Sequence, residues 1–169
     1  MKLSQLFFTL VIFLLSSPSY SASMNMIGEV GDPNKIDRVI NIKMYDNYYE
    51  PKLVKIKKGE TIKFIVENLG EMVHEYNIGT KEMHLKHQPE MQKLIDHEIL
   101  LVDKIDKIKM KKMSKMDHSL SHSHSNSIML EPKTSGEIIW KFSKDLDLEM
   151  ACNIPGHYES GMVGNLITY

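Results

Sequence analysis

Cysteine is almost absent from this sequence, which has one, Cys152, in 169 residues. A single cysteine excludes an intramolecular disulfide. A chain of this length buries about 68–70% of its unfolded surface, so it needs no such cross-link. In an exported protein a lone reactive thiol is a liability. Two explanations for Cys152 therefore stay open: it is an inert thiol in the core, or a bound metal holds it as a thiolate.

Net charge is nearly absent as well, since the formal value is -1 at pH 7. A near-neutral chain lacks the electrostatic footprint of a nucleic-acid-binding protein. Long apolar runs are scarce, apart from Leu3 to Leu15, which follows Lys2 and precedes a stretch of small residues ending at Ser23. This pattern predicts a signal peptide over residues 1–21, because the run is too short to span a bilayer comfortably. The alternative to a cleaved signal peptide is an uncleaved N-terminal anchor. We expect the protein to be exported to the periplasm.

The remaining chain, residues 22–169, has the length of one domain. Apolar and polar residues alternate with period two in several short runs separated by turn signals, which is typical of strands with one buried face. About seven to eight such strands predict an all-β sandwich or small barrel. The runs lie at 39–44, 53–57, 61–68, 73–79, 129–132, 136–142, 146–152 and 164–169.

The alternation stops between about residues 80 and 128, which indicates an insertion between two β halves. Pro89 is expected in the first turn of a helix that continues to Ile95. A second, lysine-rich amphipathic helix is expected over residues 99–116. The Ser/His tract over residues 118–127 is typical of a mobile, solvated segment.

One short segment concentrates groups that bind soft metals. Cys152, His157 and Met162 follow one another at five-residue intervals around a Pro-Gly turn. Two histidines, one cysteine and a weak axial methionine form the type 1 copper arrangement. His74, in a predicted strand, is the candidate for the second histidine. Each residue alone has a structural alternative, as core filler or turn residue, but the combination favours copper over zinc, and one cysteine excludes a binuclear copper–thiolate centre.

The same segments resemble the cupredoxins of the plastocyanin/azurin superfamily. The resemblance covers about residues 36–79 and 128–169 and implies a Greek-key β-sandwich with one mononuclear copper ion. It implies the ligands His74, Cys152, His157 and Met162. Within the superfamily, the chain is most similar to periplasmic copper-tolerance cupredoxins of the CopI type, which carry Met/His-rich additions. The matching segments are Tyr48–Pro51, Lys58–Thr61, Asn68–Gly70, Val73–Gly79 and Ala151–Met162.

The insertion is rich in methionine and histidine, and two interpretations stay open. In the first interpretation, the methionines pack in the core and the histidines belong to a solvated tail. In the second, the methionines and histidines together form a labile copper reservoir. The lysines between Lys104 and Lys115 argue against tight cation binding there, and docking of an acidic partner is an alternative role for them. The residues in question are Met83, Met91, Met110, Met113, Met116 and Met129, and His84, His87, His97, His118, His122 and His124.

Three classes of function compete for such a chain. Copper handling and tolerance is favoured by the predicted site together with the insertion. Electron transfer between periplasmic redox proteins is the alternative, and either function implies a redox or copper-transfer protein as partner. We expect no enzymatic activity, because a copper enzyme of this kind needs a second copper centre on a further domain.

Overall fold

The computed structural model describes residues 26–169, and the predicted signal peptide lies outside the described residues. The described chain forms ten strands in two five-stranded sheets, consistent with the predicted all-β sandwich. The sequence predicted at most eight strands, and the two further strands have only two and three residues, too few to show a period-two pattern. The strands are β1 (Glu29–Val30), β2 (Arg38–Tyr45), β3 (Tyr48–Glu50), β4 (Leu53–Ile56), β5 (Thr61–Asn68), β6 (His74–Gly79), β7 (Ser127–Leu130), β8 (Ser135–Lys141), β9 (Asp147–Ala151) and β10 (Val163–Thr168).

The strand order is β1-β8-β5-β2-β3 in one sheet and β4-β10-β9-β6-β7 in the other. The inward side chains of both sheets form a single core, in which Phe64 of β5 packs against Tyr76 of β6 with ring centroids 5.5 Å apart. The predicted inward residues Ile138 and Trp140 of β8 are buried in this core. The alternation along each strand therefore determines which side chains enter the core between the two sheets.

Strand β6 is buried along its whole length, unlike a strand with one solvated face. Tyr76 and Ile78 point into the core between the sheets, whereas Glu75 contacts His87 and Asn77 accepts a hydrogen bond from Asn126, both in the insertion that follows β6. Successive side chains of a strand point to opposite faces, so β6 presents one set to the sandwich core and the other to the insertion.

The insertion contains two helices, α1 (Lys81–Asp96) and α2 (Lys107–Met113). The prediction that Pro89 starts a helix is wrong, because Thr80 caps α1 by accepting a hydrogen bond from the Met83 amide and Pro89 lies inside the helix. The predicted helix over residues 99–116 is also wrong. Only its second half is helical, with Asp106 as N-cap, while Leu100 and Ile105 pair as an isolated β-bridge.

The Ser/His tract packs onto the rest of the insertion instead of extending into solvent. A 3₁₀ turn at His118–Leu120 buries Leu120 against the core. His122 is also nearly buried, with 4% of its side chain exposed. No helix in residues 26–169 is long and apolar enough to cross a membrane.

Candidate metal centre

The residues predicted to bind copper lie together at one end of the second sheet. Strands β6 and β9 are antiparallel neighbours, so the start of β6 lies beside the end of β9. His74 begins β6 and Cys152 directly follows β9. The loop from β9 to β10 then brings His157 to the same place, and Met162 ends this loop with backbone hydrogen bonds to Cys152 and His157. We call these four residues the first cluster.

Three potential ligand atoms of the first cluster lie within 4.8 Å of one another: Cys152 Sγ and one nitrogen each of His74 and His157. The distance from Cys152 Sγ to His157 Nδ1 is 3.4 Å, and the His74 and His157 ring centroids are 5.1 Å apart. The side chains of His74, Cys152 and Met162 are fully buried, while His157 is partly exposed.

The ligand loop is held closed by its own backbone. The amide of His157 donates to the carbonyl of Ile154, and Gly156 has a φ of 87°, a conformation that favours glycine. The amide of Met162 donates to the His157 carbonyl, and the Cys152 amide donates to the Met162 carbonyl. These bonds fix the positions of three of the four residues relative to one another.

His74 is oriented by a carboxylate that the sequence interpretation missed. Its Nε2 lies 2.8 Å from Asp46 Oδ1, in the turn between β2 and β3. Its Nδ1 is buried and has no hydrogen-bond partner among the described residues. Gly70 permits this arrangement, because a Cβ at that position would lie 2.9 Å from His74 Nε2 and closer still to Asp46 Oδ1.

Burial controls the protonation of the first cluster. It lowers the pKa of His74, although Asp46 opposes the shift. Burial and the neighbouring His74 also lower the pKa of His157. For Cys152, burial raises the pKa of the thiol to about 12. Both imidazoles are therefore neutral near pH 7, as metal ligands must be, while the thiol keeps its proton until a metal replaces it.

A second group of titratable residues lies on the opposite face of β6, and we call it the second cluster. It consists of Glu75 of β6, His87 and Glu90 of α1, and His122 and His124 of the Ser/His tract. Glu75 Oε1 lies 3.1 Å from His87 Nε2 and 2.8 Å from His122 Nε2. The two histidine nitrogens are 3.4 Å apart.

Charge pairing dominates the second cluster. Burial opposes ionisation of Glu75, but His87 and His122 outweigh it and hold the pKa of Glu75 well below its ordinary value. Burial likewise opposes protonation of His87, yet Glu75 and Glu90 raise its pKa to about 10. Hydrogen bonds from His124 and His87 lower the pKa of Glu90 to about 2.

The methionines of the insertion mostly serve as packing, in line with the first of the two interpretations. Met91 is buried in the core, and Met116 is 77% exposed. Four others are partly buried against the core: Met83, Met110, Met113 and Met129. The solvated-tail interpretation is wrong for His84, His87 and His122, because the helical segment turns them toward the second sheet.

No protein-family model matches the chain. Among solved structures, the chain is similar to reduced auracyanin from Roseiflexus castenholzii, with a TM-score of 0.57 and 19% identity over 79% of this chain and 98% of that one. It is similar to auracyanin B, with a TM-score of 0.59 and 14% identity over 84% of this chain and 96% of that one. At these identities the likeness shows a cupredoxin fold.

Sequence identity is higher to three copper-resistance proteins than to these solved structures. The chain is 36% identical to the copper-resistant cuproprotein CopI of Pseudomonas aeruginosa PAO1, over 92% of this chain and 90% of that protein. It is 30% identical to CopI of Rubrivivax gelatinosus, over 83% of this chain and 72% of that protein. The protein therefore belongs to the CopI family of copper-resistant cuproproteins.

Proposed function

We propose that this protein handles copper in the periplasm and supports copper tolerance, with one type 1 copper ion held by His74, Cys152, His157 and Met162. The observation that carries the proposal is the buried Nδ1 of His74. A buried imidazole nitrogen without a partner is unfavourable unless something binds it. This nitrogen belongs to a group that also brings Cys152 Sγ and His157 within ligand distance.

The donor set of the first cluster fits copper. One thiolate, two imidazoles and a thioether are the soft and borderline ligands that copper prefers. His74 would bind through Nδ1, because Asp46 occupies Nε2. His157 would also use Nδ1, the nitrogen that lies 3.4 Å from Cys152 Sγ. Names of relatives add support, since three curated relatives are called copper-resistant cuproproteins.

Bound copper would supply one-electron redox chemistry and a thiolate-to-copper charge-transfer band. The chain's own residues prepare the site for it. Asp46 fixes the ring and tautomer of His74, as carboxylates commonly do for metal-binding histidines. The amide of Glu75 lies 3.3 Å from Cys152 Sγ and donates to it, which favours the thiolate once the proton has left. Burial of three ligands keeps water away from the ion.

Electron transfer is the second candidate, favoured by the surface beside His157. This histidine is the partly exposed member of the first cluster and borders an apolar hollow lined by Val73, Leu100, Ile154 and Pro155. A redox partner seated there would approach the copper through the His157 ring. The relatives' names favour copper resistance, so electron transfer remains the alternative.

Growth on graded copper distinguishes the two functions. Deletion of the gene in its host should lower copper tolerance, and the wild-type gene should restore it. A Cys152→Ser gene should fail to restore it, because the first cluster then lacks its thiolate. The matched control is His97→Gln, which changes an exposed histidine outside both clusters and should restore tolerance fully. Unchanged copper tolerance in the deletion strain would contradict the proposed function.

A further inference from the structure

The second cluster brings three imidazoles and two carboxylates together from three separate parts of the chain. Glu75 comes from β6, His87 and Glu90 from α1, and His122 and His124 from the Ser/His tract. The ring centroids of the three histidines lie 5.1–5.3 Å from one another. Surface side chains of one helix meet through sequence spacing alone, whereas this convergence depends on the tertiary fold.

We infer that the second cluster is a second metal site, which binds one divalent copper ion through Glu75, His87 and His122. This inference goes beyond the proposed function and does not depend on it. The three potential ligand atoms lie within 4.8 Å of one another. Glu75 and His87 are buried to 1% exposure or less, so the site is part of the folded interior.

The distances between these atoms suit a bound ion. Two ligand atoms that are each about 2.0–2.1 Å from a metal lie about 2.9 Å apart at a right angle and about 3.3 Å apart at a tetrahedral angle. The observed separations are 2.8 Å between His122 Nε2 and Glu75 Oε1, 3.1 Å between His87 Nε2 and Glu75 Oε1, and 3.4 Å between the two nitrogens. One ion can therefore contact all three with little movement.

Without a metal, the hydrogen bonding at Glu75 is overcrowded. Its Oε1 faces both histidine nitrogens, and it also accepts from Asn77 Nδ2 at 3.1 Å and Ser127 Oγ at 2.5 Å. A carboxylate oxygen offers about two lone-pair sites, so four donors exceed what it can accept. A divalent cation that displaces the protons of the two histidine nitrogens, and is bound by those nitrogens and this oxygen, removes the conflict and releases the protons to solvent.

The surroundings of the second cluster have the organisation of a metal site. Glu90 Oε2 lies 3.0 Å from His87 Nδ1 and accepts a hydrogen bond from its N–H, which directs the other nitrogen toward Glu75. Such a carboxylate behind a ligating histidine is common in metal sites. The other oxygen of Glu75 accepts from the amide and side chain of Asn153, so the carboxylate is held from both sides.

The ligand chemistry selects the metal. Imidazole and carboxylate are borderline to hard ligands, which favour Cu(II) over Cu(I). Among divalent first-row ions, such a site binds copper most tightly. The ring of His124 lies near both other rings, but its Nε2 faces Glu90 at 3.4 Å, so His124 is not counted among the ligands. The first cluster, with sulfur and imidazole ligands, therefore suits both oxidation states of copper, whereas the second cluster, with only nitrogen and oxygen, favours Cu(II).

The test is a Cu(II) titration of the mature protein, followed by equilibrium dialysis, absorption and electron paramagnetic resonance. The wild type should bind two equivalents, one with the thiolate charge-transfer band and one with a tetragonal signal split by imidazole nitrogen. Cys152→Ser should lose the band and keep the tetragonal signal. His74 and His157 remain in this background, so the part of the tetragonal signal that a second change at His87 or His122 removes is the part that belongs to the second cluster, while the band reports the first cluster separately.

Histidine variants in the Cys152→Ser background identify the ligands. His87→Gln and His122→Gln should each lose the tetragonal signal, and Glu90→Gln should weaken Cu(II) binding about 10–100-fold. His97→Gln should leave binding unchanged. In the wild-type background, a retained charge-transfer band shows that His87→Gln and His122→Gln fold. Cys152→Ser protein that binds no Cu(II), or an equal loss with His97→Gln, would overturn the inference.

Discussion

The two faces of β6 carry different metal-binding chemistry, although their key residues are neighbours in sequence. His74 and Cys152 point toward the first cluster, with sulfur and imidazole groups. Glu75, the next residue of β6, belongs to the second cluster, and its carboxylate accepts hydrogen bonds from Asn153, the residue after Cys152. Because side chains of a strand alternate between faces, a step of one residue separates a soft site from a harder one.

The two clusters also differ in how the chain assembles them. Three residues of the first cluster lie in one loop, which its own backbone hydrogen bonds hold closed. The second cluster exists only if the helical segment folds onto the sheet. We therefore expect the two clusters to respond differently to four kinds of change: removal of a ligand, looser packing of the helical segment, loss of a supporting carboxylate, and replacement of the axial residue.

Removing the thiolate should have the largest effect. In Cys152→Ser, the charge-transfer band should vanish completely, because a neutral serine hydroxyl cannot replace the thiolate donor. Absorption spectra of the copper-loaded protein measure this directly. The matched variant His87→Gln should keep the full band, since His87 lies on the other face of β6. A coloured Cys152→Ser protein with an unchanged spectrum would refute the ligand assignment.

Loosening the packing of the helical segment should have the next largest effect. Met91 of α1 is completely buried, so Met91→Ala should lower the free energy of unfolding by about 2–5 kcal/mol. Urea unfolding of the copper-free protein measures the change. Met116→Ala, which alters a methionine that is 77% exposed, should stay within about 0.5 kcal/mol of the wild type. Equal stability of both variants would mean that the segment is not part of the core.

Much of the sandwich could be predicted from alternation alone. The strand predicted over residues 61–68 coincides with β5, because its inward apolar residues meet a buried sheet face. The helical segment was harder to predict from sequence. Pro89 suggested a helix start, but α1 begins earlier, after the N-cap Thr80, and includes Pro89 in its interior. The residues around Leu100 form a bridged turn, which their helix-like sequence pattern did not indicate.

The first cluster could be predicted from the sequence, whereas the second cluster could not, because the two differ in how far apart their residues lie along the chain. Cys152, His157 and Met162 lie in one loop with a regular spacing, so the motif appears in a short stretch of chain. Asp46 is 28 residues from His74, and Glu75 is 47 residues from His122. Sequence spacing cannot show pairs that only tertiary folding brings together. The abundance of histidine in the insertion was the available signal for the second cluster.

Removing the carboxylate behind His74 should weaken the first cluster moderately. Asp46→Ala leaves His74 without the partner that fixes its ring, so copper affinity should fall about 10–100-fold. Competition with a chelator of known affinity measures the change. Asp46→Asn retains a side-chain oxygen that accepts the same hydrogen bond and should lose less. If Asp46→Ala binds copper as tightly as the wild type, the backbone alone positions His74.

Changing the axial residue should have the smallest effect on binding and a visible effect on the electronic properties. Met162 would be a long, weak ligand, so Met162→Leu should keep copper, raise the reduction potential and shift the absorption band. The physical reason is that leucine leaves the ion with three ligands in a more apolar pocket, which disfavours the more highly charged Cu(II) and is tolerated by Cu(I). Redox titration and absorption spectroscopy on the same samples measure both changes.

Met44→Leu is the matched control for this change, because Met44 is equally buried but lies in β2 of the other sheet. The same loss of a thioether there should leave the potential and spectrum unchanged, since such volume-conserving exchanges in a core disturb packing little. Complete loss of copper in Met162→Leu would show that Met162 is a principal ligand. The first cluster would then have four strong ligands, and its geometry would differ from the trigonal arrangement proposed here.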